Sequence, residues 1–355
     1  MLKNIAVIDK TGRGHAICDC LIANNPDLTV HYIPGTGGAF DQRIAVVPNI
    51  DIEDGAAILD YCDQSKMDLI IVSHIDALKS GVCDTLRKGG LSVLGPSATA
   101  VQLETSKWFC KKICKTAGIS TPQSQLFHDK AEFVSYLKTR GPSRVMIKAD
   151  WLTKNGNGAF IAQGTDCRGV ILDEIETIMK QNPDAPFRFL VETYQDGTDY
   201  SAHYMVNEGS VVDLPSSQDF KKSHENDAGH NCDGMGSLSP HPLDSTALRY
   251  RIRTSILEPM LAALQDEVGC FNGPIYLGLR VDENGQPHLI EVNARMGDSE
   301  SEVIFPLISE DLAHLCKQLA DGHTVDRPAK ASSQCALVIS LVTGRTGGTL
   351  SLIHI

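Results

Sequence analysis

Aromatic side chains are scarce in this chain: Phe, Tyr and Trp together supply 6% of 355 residues, against 30 glycines. That balance favours mobile loops over a rigid all-β shell. Basic charge is also in deficit, with 32 Lys and Arg against 44 Asp and Glu and a formal net charge of −12. An acidic surface gives no encouragement to nucleic-acid binding, although a local basic pocket can still hold phosphates. No CxxC pair occurs among the 11 cysteines, and those at Cys18, Cys20, Cys270 and Cys335 sit in apolar stretches. Reduced thiols in a cytoplasmic protein are the expectation, without a zinc site. There is no apolar run of about twenty residues and no apolar leader segment at the start, so neither a membrane span nor a signal peptide is expected. Two nucleotide signatures are missing as well: no G-x-G-x-x-G follows the first strand, and no G-x-x-x-x-G-K-[ST] occurs anywhere.

Hydrophobic content of 42% and charged content of 21% suit a globular chain of two or three packed units. Its first hundred residues alternate strand and helix. Asn4–Ile8 reads as a strand, Thr11-Gly12-Arg13-Gly14-His15 as a glycine loop and Ala16–Ala23 as a helix. Further strands are predicted at Thr29–Ile33, Leu69–Val72 and Leu91–Leu94, with helices at Gly55–Cys62 and Val82–Lys88. This order implies a parallel sheet covered on both faces, with the Gly12 and Gly37 loops at one crevice beyond the strand ends. A helix is predicted from Ala98 to Ala117, carrying Lys107, and Gly118 can end it. A mixed unit follows, with strands at Val145–Lys148, Ala159–Ala162 and Phe189–Glu192 and helices at Lys130–Lys138 and Val170–Met179. Antiparallel strands are expected across the Gly209 turn. The polar segment from Ser216 to Pro240 lacks periodicity and is read as a lid or binding loop. Helix Thr246–Val268 and strands Ile275–Val281 and His288–Val292 complete the pattern.

Three features carry chemistry. Lys148 ends a strand and precedes the flexible Asn155-Gly156-Asn157-Gly158, so a lysine that can reach polyphosphate is followed by a loop that can fold over it. A surface lysine is the bland alternative. Glu291 and Asn293 alternate on one strand and therefore share a face. Their oxygens are hard ligands suited to Mg²⁺, with Mn²⁺ as a substitute, although one E-x-N is also an ordinary polar edge. The clusters Arg295-Met296-Gly297-Asp298-Ser299-Glu300 and Gln218-Asp219-Phe220-Lys221-Lys222 contain both the cation and the acceptor that an amino-acid substrate needs. Salt-bridged loop supports are the alternative for each.

Taken together, Leu94-Gly95-Pro96-Ser97, Gln102-Leu103-Glu104-x-Ser106-Lys107, Ile147-Lys148-Ala149-Asp150, Gln218-Asp219-x-Lys221, Gly234-Met235-Gly236 and Glu291-x-Asn293-Ala294-Arg295-x-Gly297-Asp298-x-Glu300 resemble the phosphoribosylamine–glycine ligase family of the ATP-grasp superfamily. The resemblance runs nearly from the start to about Ser340. It implies an α/β and α+β multidomain chain: an N-terminal α/β substrate-binding domain over 1–100, an ATP-grasp domain over 101–327 with a mobile ATP lid at 122–192, and the start of a C-terminal subdomain over 328–355. The implied substrates are ATP, glycine and 5-phosphoribosylamine, joined through a glycyl phosphate. Lys107, Lys148, Gly156 and Gly158 would hold ATP phosphates. Glu192 would lie at the adenine and ribose hinge, with Asp199 where the family commonly has a second glutamate. Glu291 and Asn293 would bind magnesium, and Arg295, Asp219 and Lys221 would serve the glycine acceptor. The chain would act without nucleic acid or membrane, as a monomer or weak homo-oligomer. A related ligase joining another small amino acid and amine, or a nucleotide-binding paralogue without turnover, are the alternatives.

Several positions depart from the family pattern. The first loop has Asp9 at its start and Gly14, not an acidic residue, before His15; an Asp9 pointing into the crevice would repel a substrate phosphate. Ser73-His74-Ile75 replaces a glycine-proline-glutamate, Trp151 replaces a glycine, and Asn157 stands where a lysine is usual, with Lys154 as its nearby substitute. Family members continue beyond Gln334–Ser340, and Leu350-Ser351-Leu352-Ile353-His354-Ile355 reads as the translation of a transposase sequencing adapter. A truncated C-terminal subdomain with uncovered apolar faces is therefore expected.

Overall fold

The computed structural model describes residues 2–139, 141, 143–153, 158–164, 168–224 and 228–341. Gly156, Lys154, Asn157 and the terminal residues from 342 onward lie outside that set. The first unit is a parallel sheet built from β1 (Asn4–Asp9), β2 (Thr29–Pro34), β3 (Ile44–Val46), β4 (Leu69–Val72) and β5 (Val93–Leu94), in the order β3-β2-β1-β4-β5. Its central strands are buried on both faces, as the continuous apolar runs Ile5–Ile8 and Leu69–Val72 require. Helices α1 (Gly12–Ala23), α2 (Gly55–Gln64), α3 (Ile75–Lys79) and α4 (Val82–Lys88) connect and cover it. Because β1 and β2 are parallel neighbours, the Gly12 and Gly37 loops leave the same edge of the sheet. Helix α1 begins four residues earlier than the apolar periodicity suggests, so Gly12 to His15 form its first turn.

The long helix expected from Ala98 to Ala117 is two helices, α5 (Gln102–Thr105) and α6 (Lys107–Thr116). Ser106 breaks it. Its backbone is extended, at φ −128° and ψ 110°, and its hydroxyl caps α6 by accepting the Phe109 amide. Lys107 thereby stands at the first position of a helix and not in the middle of one.

A second sheet, in the order β6-β9-β7-β8, joins β6 (Ser124–Phe127), β7 (Val145–Ala149), β8 (Ala159–Ala162) and β9 (Phe189–Thr193), with α7 (Lys130–Thr139) and α8 (Arg168–Gln181). It has a separate core around Phe127, Phe133, Ile147, Ile175 and Phe189. A third sheet, ordered β11-β10-β14-β15, contains β10 (Thr198–Asn207), β11 (Ser210–Asp213), β14 (Gly273–Val281) and β15 (Pro287–Asn293). Helices α9 (Thr246–Ile252) and α10 (Glu258–Val268) run into one another through a π turn at Arg253–Leu257, so the single helix expected there carries a local bulge.

The segment from Ser216 to Pro240 is not a loop. It forms the hairpin β12 (Gln218–His224) and β13 (Ala228–Ser239), and β13 pairs in turn with β16 (Ala336–Ile339). The register shifts at Phe220/Lys222 and Lys222/His224 explain why no clean alternation is visible in the sequence. Helices α11 (Asp298–Ile304) and α12 (Leu312–Ala320) pack near β1 and β2 in a core that includes Val7, Val30, Val303 and Leu315. Leu337, Ile339 and Leu341 are exposed. Cys18, Cys20, Cys62, Cys83, Cys110, Cys114, Cys270, Cys316 and Cys335 are free, and Cys270 and Cys335 are exposed, contrary to their apolar sequence context. Among the described residues, no helix is long and apolar enough to cross a membrane.

Candidate active site

Strands β7 and β9 run antiparallel with Met146 opposite Glu192, and this register brings Lys148 and Glu192 onto one cleft. The Lys148 ammonium lies 2.8 Å from Glu192 Oε2 and donates to the Ile290 carbonyl at 3.0 Å. Lys111, one helical turn beyond Lys107, pairs with Glu192 Oε1 at 3.0 Å and donates to Thr121 Oγ1 at 2.6 Å. Lys148, Lys111 and Glu192 are all buried. Burial pushes the Glu192 carboxyl upward, yet Lys148 and Lys111 outweigh it and hold the group below its ordinary value. Burial lowers Lys111, with Glu192 opposing. Lys107 faces the same cleft, its ammonium donating to the Glu104 carbonyl at 3.2 Å. Three lysines against the two carboxylates of Glu192 and Glu291 leave the cleft with a net positive charge, which suits a polyphosphate.

Asp150, at the end of β7, ties that wall together. Its carboxylate accepts the Trp108 amide at 2.8 Å and the Ser106 hydroxyl at 3.1 Å, while Arg188 Nε donates to its other oxygen at 3.1 Å. An anion at the start of α6 also opposes the positive end of the helix dipole. The Gly158 carbonyl accepts the Ala149 amide at 2.7 Å, and a Cβ at Gly158 would lie 2.7 Å from Thr153 Oγ1, so a side chain there would require Thr153 to shift. Asp199 stands at the start of β10, exposed, and is paired with Arg280 Nε at 2.7 Å.

A second charged cluster is assembled from β12, β15 and the turn before α11. Glu291 and Asn293 share a face of β15, opposite Gly278 and Tyr276. Lys221 on β12 reaches Glu291 Oε1 at 3.1 Å and Asp219 Oδ2 at 3.7 Å. Lys221, with Lys107 and Lys148 behind it, holds the Glu291 carboxyl far below the usual range against the effect of burial. Asp219 behaves oppositely: burial, then the Glu300 and Glu291 charges, push it up to about 7 despite Lys221. Among the described residues its Oδ1 is buried without a hydrogen-bond partner, an oxygen open to a donor.

Arg295 is anchored by Glu104, with Nε at 3.1 Å and Nη2 at 3.0 Å from Oε1, while Oε2 accepts the Ala294 amide at 2.8 Å. Its Nη1 donates to the Met296 carbonyl at 3.0 Å. The Arg295 side chain stays 21% exposed, so part of the guanidinium remains open to an anion.

The N-terminal loop differs from the expectation. Asp9 does not point a free charge into the crevice: it is fully buried, 2.8 Å from Arg13 Nε, and accepts the Ser73 hydroxyl at 2.7 Å. Burial raises its pKa, but Arg13 and His74 more than offset that and hold it lowered. A Cβ on Gly14 would lie 2.5 Å from Asp9 Cβ and 2.6 Å from the Tyr32 ring, so the packing of β1 and β2 leaves no room for a side chain before His15. Burial also lowers His74 to about 4, leaving it neutral near pH 7.

Glu104, Lys111 and Asp150 were not singled out for a role from sequence. Lys107 and Lys111 at i, i+4 on one helix were the available signal; the partners of Glu104 and Asp150 lie too far along the chain to be read.

Two lysines from different elements over one cleft, with a carboxylate–amide pair on the facing sheet, fit an ATP-grasp enzyme, an ATP-dependent carbon–nitrogen ligase, and the relatives establish that class. The profile of the phosphoribosylglycinamide synthetase N domain matches residues 3–104, and that of the phosphoribosylglycinamide synthetase ATP-grasp (A) domain matches residues 105–301. The chain belongs to the phosphoribosylglycinamide synthetase family. It is 31% identical over 347 residues to the phosphoribosylamine–glycine ligase of Escherichia coli strain K12, covering 96% of this chain and 79% of that one. With the same enzyme of Haemophilus influenzae it shares 32% over 323 residues, 90% of this chain and 74% of the relative. The crystal structure of phosphoribosylamine–glycine ligase from Thermotoga maritima superposes with a TM-score of 0.78 at 23% identity, covering 96% of this chain and 80% of that one. An L-amino acid ligase from Bacillus licheniformis shares the fold at a TM-score of 0.64 and 19% identity, over 96% and 81% of the two chains.

Proposed function

We propose that this chain joins glycine to 5-phosphoribosylamine at the expense of ATP, giving glycinamide ribonucleotide, ADP and phosphate. The observation that carries this reading is the meeting of two environments at Glu291: a lysine-lined cleft on one side and, through Lys221, the buried Asp219 on the other. The glycine carboxylate seats on Arg295 and attacks the terminal phosphoryl group of ATP, forming glycyl phosphate and ADP. The amine of phosphoribosylamine then attacks the acyl carbon, and phosphate leaves. Lys107 and Lys148 offset charge that builds on the phosphoryl oxygens, and Lys111 keeps Glu192 from cancelling Lys148 outright. Asp219 receives the ammonium or amine N–H at its unpartnered oxygen, and Lys221 holds Glu291 in place between turnovers.

Glu291 and Asn293 fit a magnesium ion: both are oxygen ligands on one strand face. Among the described residues no group of three or more His, Cys, Asp or Glu is gathered as a metal cage. Two protein ligands with nucleotide oxygens completing the shell suit Mg²⁺, which supplies charge neutralisation on the phosphates. We read residues 1–100 as the substrate domain, 101–327 as the ATP-grasp domain with its lid at 122–192, and 328–355 as part of a further subdomain. Gly156 and Gly158 then belong to the loop over the phosphates, with Glu192 and Asp199 toward the adenosine.

The acyl phosphate step is tested with glycine carrying heavy oxygen in its carboxylate. One labelled oxygen must appear in the released phosphate. Label retained wholly in the amide product and unreacted glycine would rule the step out.

A further inference from the structure

The N-terminal loop and the acceptor loop meet at a single backbone oxygen. Arg13 Nη1 donates to the Met296 carbonyl at 3.3 Å, and Arg295 Nη1 donates to the same carbonyl at 3.0 Å. Each guanidinium is held from behind by a buried carboxylate, Arg13 by Asp9 and Arg295 by Glu104. Arg13 also ties its amide to Asp298 Oδ1 at 2.9 Å, two residues past the shared carbonyl.

Asp9 is fully committed. Oδ2 takes Arg13 Nε and the Ser73 hydroxyl, and Oδ1 takes the Lys10 amide at 2.7 Å, the Thr11 amide at 2.8 Å and the Thr11 hydroxyl at 2.9 Å. Arg13 is 4% exposed, so it has no free face for a ligand anion. Its remaining job is mechanical. A guanidinium paired this closely keeps its plane, and that plane fixes where the Met296 carbonyl points. Arg295 hangs its Nη1 on that carbonyl, so the direction of its guanidinium depends on Asp9 as well as on Glu104.

We propose that Asp9 is a positioning residue for the acceptor site, acting through Arg13 and the Met296 carbonyl to aim Arg295, and so coupling the sugar-facing loop to the glycine pocket. This rests on the reading of Arg295 as the glycine-carboxylate cation. These bonds of Asp9, Arg13 and the Met296 carbonyl do not involve Lys107, Lys111 or Lys148; Lys107 reaches the Glu104 backbone carbonyl, not the carboxylate that holds Arg295. The coupling therefore acts on glycine and the amine and leaves the nucleotide alone.

The test is a graded series in the full chain: Asp9→Asn, which keeps shape and removes charge; Arg13→Lys, which keeps charge and removes the fork; and Ser73→Ala, which deletes one hydroxyl and leaves every charge. Glycine KM, kcat, Mg·ATP Kd and unfolding midpoints are measured for each, and the folded variants decide. Asp9→Asn and Arg13→Lys should raise glycine KM on the order of tenfold, inside the ~100-fold that a misplacement of about 1 Å costs. Ser73→Ala should raise it less, and Mg·ATP Kd should stay at the wild-type value throughout. A merely structural role would lower midpoints without this split. Wild-type glycine KM in the folded variants, or nucleotide affinity falling in parallel with glycine, overturns the proposal. Arg295→Lys separates the two readings. If it leaves glycine KM unchanged, the acceptor assignment falls and the coupling with it; if it raises KM while the Asp9 series does not, the coupling alone falls.

Discussion

Gly278 on β14 stands directly opposite Glu291 on β15, and a Cβ at position 278 would lie 2.7 Å from Glu291 Cγ. The glycine is the space into which the Glu291 side chain folds. The ladder shifts register immediately beyond this pair, so the aim of the carboxylate toward Lys221 depends on both features. Gly278→Ala should cost about 1–3 kcal/mol in overpacking and displace Glu291. Turnover should fall by roughly tenfold or more, as expected for a misplaced group, with a higher magnesium requirement. Steady-state rates across a magnesium titration, alongside unfolding midpoints, decide it. An unchanged titration would count against Glu291 as the metal ligand.

Glu192→Gln removes the one carboxylate between two buried ammonium groups. Breaking a buried pair from one side costs about 3–5 kcal/mol. Because the folded-state pKa of Glu192 is lowered, its stabilisation is present above the ordinary carboxyl value and lost as pH falls through the lower folded value. The wild-type urea midpoint should therefore drop on acidification below about pH 4.5 with a slope that the variant partly lacks. Parallel curves for the two proteins would contradict the pairing.

For Asp219 the sign reverses. Its folded pKa, near 7, lies above the unfolded value near 3.8, so the folded state binds the extra proton between these two values. Stability from this group is present below the lower value and declines as pH rises toward 7. Asp219→Asn should remove that decline, leaving the variant at least as stable as wild type at neutral pH. Its turnover should fall by about tenfold or more if the carboxylate accepts an N–H during reaction. A stable variant with wild-type kcat would show that the group has no part in the chemistry.

Much of this was legible in the sequence because it is local. The strand-to-loop alternation placed Gly12 and Gly37 on one edge, and the two-residue spacing put Glu291 and Asn293 on one face. What was not legible depends on partners far along the chain. Ser106 ends one helix and caps the next because Asp150 draws its hydroxyl and the Trp108 amide, a contact across more than forty positions. The β12–β13 hairpin was hidden by register shifts that destroy alternation. Asp9 looked like a charge aimed at a phosphate; its neutralisation by Arg13 and Ser73 depends on the packing of β1, α1 and β4.

The most direct measurement of the central claim is ADP release with glycine and with phosphoribosylamine generated in place, followed by mass analysis of the product. ADP formation should require both substrates for efficient turnover, and the product should have the mass of glycinamide ribonucleotide. Lys107→Ala should weaken nucleotide binding and slow the same reaction. Strong turnover with a different amine and none with phosphoribosylamine, or nucleotide binding with no glycine-dependent ADP release at all, would contradict it.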